Sequence, residues 1–180
     1  MRFPFLVFAA AVLATPTFAA EDATGLAVNL PDTFTVEAAP SPPPYSVTFG
    51  VKATSGEPAP LEGETYVCQV SFQAVAGNAE LTMETINAQI GTPAWVAMAK
   101  EGMASIFDFV SDSSFELAGY KGHEFIGTPK QKGAENVRLV LSTLETAKGR
   151  TAISCVTDAE RLDEALPTFH TIRDGVTPPT

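Results

Sequence analysis

The segment from Asn136 to Thr146 constrains the fold most. It places Val137, Leu139 and Leu141 on one face of a strand and Val140 and Leu144 on the other. A strand with one wet face alternates apolar and polar residues, so leucines on both faces call for cover on both sides. Other segments alternate more simply. Tyr45, Val47, Phe49 and Val51 share one side of a strand over 45–53, and Tyr66, Cys68, Val70 and Phe72 share one side over 65–75. Shorter strands fit Leu26–Pro31, Thr33–Glu37, Ser114–Leu117 and His123–Thr128, and Lys148-Gly149 turns the chain into a strand over 150–157. Short turns between consecutive strands favour antiparallel pairing.

Two helical regions are available as cover. Thr82 can cap a short helix through Ile90. Gly91-Thr92-Pro93 then reads as a stop followed by a start, with Thr92 as N-cap and Pro93 at the first helical position. The helix that follows carries Trp95, Met98, Ala99, Met103 and Ile106 at helical spacing, a stripe that reads first as a core face. The last helix is expected to start at a capping-box spacing, Thr157 to Glu160. Its stripe is Leu162, Ala165, Leu166, Phe169 and Ile172, and Pro167 is expected to kink it or to start a second piece. Pro40–Pro44 and the polar run Thr54–Glu64 read as surface connections. The expected fold class is α+β: an α/β/α sandwich around an antiparallel sheet of six or seven strands, with helices on both faces.

The N-terminus has the pattern of an export signal: Arg2, an uncharged apolar stretch Phe3–Ala14, the helix breaker Pro16, and small residues at 17 and 19. The apolar stretch falls short of the roughly 20 residues that span a bilayer. Residues 1–19 are therefore expected to be a signal peptide and 20–180 a single globular domain, periplasmic or secreted, with no membrane insertion after cleavage. Export changes how the two cysteines read. In an oxidising compartment a Cys68–Cys155 disulfide is the default, and two buried thiols or a redox pair are the alternatives. A bridge requires the two Cα atoms to come within about 7 Å.

The order of elements is similar to the PsbP/Mog1-like fold. Gly122-His-Glu-Phe-Ile-Gly, Val137-Arg-Leu-Val-Leu, Gly149-Arg-Thr-Ala-Ile-Ser-Cys and Phe169-His-Thr-Ile resemble exported, uncharacterised bacterial members of that group. Members of this fold serve unrelated ends, among them a lumenal photosystem subunit and a nuclear-transport factor. The resemblance therefore implies a fold and transfers no functional residue.

Chemistry-bearing patterns are sparse. His123-Glu124 begins like a zinc-protease motif, but Gly127 stands where the second histidine belongs. His123 reads as a structural or edge residue and His170 as a capping or surface one. Asp108, Asp112 and Glu116 recur every four residues without the spacing of a calcium loop, and read as a solvated rim. No catalytic, cofactor or metal residues are assigned, and no cofactor is expected.

Charge is segregated. With 11 Lys and Arg against 21 Asp and Glu, the net charge of −10 disfavours binding to nucleic acid or to anionic lipid. Lys121, Lys130, Lys132, Lys148 and Arg150 concentrate in one segment and form a candidate partner patch, with solvated hairpin tips as the plainer reading. The leading expectation is a non-enzymatic protein that binds another cell-envelope protein. The alternatives are a small-ligand binder with a pocket between the Trp95 helix and the sheet, lined by Trp95, Met98 and Met103, and an enzyme with no recognisable motif. Oligomeric state is not legible.

Overall fold

In a computed structural model of the chain, residues 18–180 are described. The expected signal peptide lies outside the described residues except for Phe18 and Ala19, which open the first strand, β1 (Phe18–Glu21). It pairs with β2 (Ala27–Leu30), and β2 pairs on its other side with the C-terminal β10 (Val176–Thr177). This small sheet is anchored by Leu26, Val28 and Leu30, all fully buried.

The main sheet has seven antiparallel strands: β3 (Phe34–Ala38), β4 (Val47–Ala53), β5 (Cys68–Ala74), β6 (Phe107–Leu117), β7 (Tyr120–Pro129), β8 (Val137–Thr146) and β9 (Gly149–Asp158). Their spatial order is β3-β4-β5-β9-β8-β7-β6. The hairpin β8–β9 thus inserts its second strand beside β5, and the chain between them returns as a meander at the far edge. Cys68 pairs directly opposite Cys155 in the β5–β9 register. Their Cα atoms are 4.1 Å apart and the sulfurs are bonded, closing a separation of 87 residues. Chain-entropy reasoning assigns a loop of this length an upper stabilisation of roughly 4–5 kcal/mol.

Three helices complete the α+β fold: α1 (Met83–Gln89), α2 (Pro93–Met103) and α3 (Leu162–Asp174). The two expected N-caps form, with Thr82 Oγ1 accepting from Thr85 N at 3.2 Å and Thr92 Oγ1 from Trp95 N at 3.3 Å. Each satisfies a backbone donor that the first helical turn leaves without a partner. Residue alternation assigns the faces. Val140, Leu144, Ile153 and Cys155 share a core with Ala165, Phe169 and Ile172 of α3, one turn-spaced stripe. The intervening residues, among them Leu139, Leu141 and Ala152, face α2 instead. α1 sits by the β6–β7 turn, where the Asn87 side chain donates to Gly119 O and accepts from Lys121 N, both at 2.8 Å.

Several sequence expectations need correction. The strand expected over Ser114–Leu117 begins at Phe107, and Ile106 lies outside α2. As an edge strand with a register break between Phe109 and Ser111, β6 needs no uninterrupted dry face, so its polar middle hides it. The capping box does not form. Thr157 and Asp158 still pair with β8, a short 3-10 turn follows, and α3 starts at Leu162. Pro167 lies inside α3 without ending it. Both Pro167 and Asp163, whose carbonyl would have received the missing donor, are exposed, which leaves that carbonyl open to solvent in place of the lost bond. Finally, no residue of α2 is buried. Its Trp/Met stripe is not a sealed core face.

Candidate functional site

The stripe of α2 stands over a cleft of about 690 Å³. Trp95, Met98, Ala99, Gly102 and Met103 form its roof, and Phe125, Leu139, Leu141 and Ala152 form its floor. The floor follows from strand periodicity, since Phe125, Leu141 and Ser154 lie in one cross-strand row and Thr143 and Ala152 in the next. Ile106 and Phe107 close the apolar end, and Tyr45, Thr143, Ser154 and Arg150 line the other parts of the wall. Arg150 is the one charged residue among the lining residues. The three sequence-predicted pocket residues, Trp95, Met98 and Met103, are thus brought together. Met98 is 62% exposed and Ile106, which also lines the cleft, is 55% exposed. Isolated exposed hydrophobics are ordinary, but these two line one apolar cleft.

A polar contact network docks α2 onto the sheet. Lys100 Nζ on α2 donates to Asp112 Oδ2 on β6, and His123 Nε2 on β7 donates to Asp112 Oδ1 at 2.9 Å. These two hydrogen bonds, that from Lys100 the stronger, hold the Asp112 carboxyl below the usual aspartate range. The His123 ring is buried, lies edge-on to Trp95 at 5.9 Å, and is 4.8 Å from Phe125. Trp95 in turn stacks on Phe125 at 6.2 Å. His123 therefore carries a structural load, joining two strands and the roof of the cleft. Ser114 Oγ reaches His123 Nδ1 at 3.4 Å, which assembles the members of an acyl-transfer triad. That contact exceeds the ordinary hydrogen-bond length, and Ser114 lines a separate surface depression with Gly91, Glu116 and Lys121, away from the cleft. Gly91 stands over this pair with φ of +74°, and a Cβ there would lie 3.5 Å from Ser114 Oγ.

The other face carries a second cluster that sequence reading missed. Glu124 on β7 is 3% exposed and accepts from Ser142 Oγ at 2.8 Å, His170 Nε2 at 3.1 Å and Arg173 Nη1 at 3.3 Å. Arg173 also lies over the Phe115 ring at 4.7 Å. His170 therefore joins α3 to the sheet through a buried carboxylate, in place of the surface or capping role read from its position. The available signal was the alternation itself, which puts Glu124 on the covered face of a strand buried on both sides.

The five cations of the candidate patch do not assemble. Lys121, Lys148 and Arg150 lie at the end of the sheet that holds the β6–β7 and β8–β9 turns, whereas Lys130 and Lys132 follow the opposite end of β7. Ten strand residues separate the two groups by roughly 30 Å. Within each group the charge is partly engaged. Lys130 pairs with Asp108 at 3.1 Å, Arg150 Nε with Glu145 at 2.6 Å, and Lys148 Nζ donates to Thr24 O at 3.3 Å. The acidic series is divided as well. The irregularity in β6 sends Asp108 to the face opposite Asp112 and Glu116. Among the described residues no group of three His, Cys, Asp or Glu could hold a metal ion.

No protein-family model matches the sequence, and no curated protein does. Among solved structures the chain is similar to cyanobacterial PsbP (CyanoP) from Synechocystis sp. PCC 6803, with a TM-score of 0.53 at 11% identity over 96% of this chain and 98% of that one. A protein of unknown function from Pseudomonas aeruginosa, PA94, described as a putative regulator, aligns with a TM-score of 0.47 at 10% identity over 90% of this chain and 96% of that one. The TM-score and the near-complete mutual coverage with CyanoP identify the architecture: the chain has the PsbP/Mog1-like fold.

Proposed function

We propose that this chain is an exported, non-enzymatic binding protein whose working site is the cleft beneath α2, and that it takes a small, largely apolar ligand there. The observation that carries this reading is the cleft itself. At about 690 Å³ it falls within the size range of small-molecule sites, and it combines an aromatic and aliphatic wall with a few polar groups. A helix with no buried residue is an uneconomical cover for a core but a serviceable roof for a site. Export is supported by the apolar N-terminal pattern and by the Cys68–Cys155 bond, which persists in oxidising compartments. Among the described residues no helix is long and apolar enough to cross a membrane.

Nile red, a neutral apolar dye, tests the site. It is expected to bind the native protein with a blue-shifted emission and to quench Trp95, the chain's single tryptophan. Leu141→Arg on the floor is expected to abolish both effects while leaving the far-ultraviolet dichroism unchanged. No dye binding to the native protein, or equal binding to the variant, overturns the reading.

A second reading, a cell-envelope protein partner, is favoured by the exposed Met98 and Ile106 of the cleft. A photoreactive residue at position 98 distinguishes the two. A discrete crosslinked protein in cell envelopes supports this reading, and exclusively unlinked protein counts against it.

A further inference from the structure

Resting on the cleft as the binding site, we propose that its ligand is a single-chain amphiphile with an anionic head, of the fatty-acid class, bound with its tail toward Phe107 and its head at Arg150. The polarity of the wall runs in one direction. Met103, Ile106, Phe107 and Leu139 occupy one end, at the row where β8 is paired with Gly127. Six residues along β8, Glu145 pairs with Arg150, so the two ends are roughly 20 Å apart. That length suits one extended hydrocarbon chain better than a compact ring system.

The polar end holds three features that a head group would answer. Arg150 is the only charged lining residue, and no carboxylate lines the cleft. Glu145 Oε1 accepts from Arg150 Nε and so fixes the guanidinium by one edge, at 2.6 Å. Among the described residues no other hydrogen-bond partner of the Arg150 side chain occurs, and its remaining donors suit a planar carboxylate. Thr143, one row inward on β8, lines the wall between Arg150 and the apolar floor. Tyr45 completes the rim at the same end.

The test compares laurate with dodecanol, equal in chain length and differing in head charge, both below self-association, by Trp95 quenching and calorimetry. The native protein is expected to bind laurate about tenfold more tightly than dodecanol. Arg150→Gln is expected to bring laurate down to the affinity of dodecanol. Equal affinities in the native protein, or a preference for laurate that survives in Arg150→Gln, overturn the head-group assignment while Nile red binding keeps the cleft. Binding only to phosphatidylglycerol vesicles, with none to monomeric laurate, also overturns it. Loss of every apolar probe from the native protein removes the cleft reading itself.

Discussion

The two faces of the central sheet are made from alternate residues of the same strands, yet they are finished differently. On the α3 face, Ala165, Phe169 and Ile172 are buried against Val140, Leu144 and Ile153, the disulfide lies among them, and Glu124 ties His170 and Arg173 to the strands. On the α2 face the helix contributes no buried residue, and although Trp95 stacks on Phe125, a cleft opens between the helix and much of the floor. One face supplies the stability that lets the other remain incompletely packed. Sites are commonly drawn from the less stable parts of a structure, and here the division runs through the thickness of a single sheet.

That contrast is measurable. The largest effect is expected from Phe169→Ala, about 3–5 kcal/mol in urea unfolding, because the ring is 2% exposed and leaves a cavity. Met98→Ala, a comparable truncation of a residue in α2, is expected within about 0.5 kcal/mol. Similar losses for both would erase the distinction between the faces. Replacing Cys68 and Cys155 together by alanine is expected to cost about 2–5 kcal/mol and to lower the melting temperature while Nile red still binds in the folded range. Loss of the site in the folded double variant would mean that the sealed face shapes the open one directly.

The smallest effect tests the docking of α2. The Asp112 carboxyl is lowered in the folded protein by Lys100 and His123, so its contribution is fully present above the ordinary aspartate value, about 3.9. As pH falls through the lowered value the contribution is lost, and α2 is expected to loosen. A step in Trp95 emission below about pH 4 that disappears in Asp112→Asn is the expected outcome. A step of the same size in both proteins would assign it to other carboxylates.

Much of the architecture was legible because burial leaves a period in the sequence. The leucines on both faces of β8 announced two covering layers, and the cysteines in phase with Val70 and Ile153 left their strands free to be neighbours or to face each other, which the β5–β9 pairing resolves. Trp95, Met98 and Met103 were legible as an apolar stripe, but a core and a cleft select the same side chains, so only packing tells them apart. β6 escaped because an edge strand with a bulge needs no regular alternation. The grouping of Lys121 with Lys130 failed because closeness in sequence becomes maximal separation along a ten-residue strand. Glu124, His170 and Arg173 meet only through tertiary packing, with separations of 46 and 49 residues.

The placement of β9 beside β5 has a consequence for a cut chain. The exposed connection at Lys130–Lys132 lies inside the loop closed by Cys68 and Cys155. Trypsin acting there would yield two polypeptides that still travel as one molecule. Each would hold its share of the interlocked strands, and they would separate on a gel only after reduction.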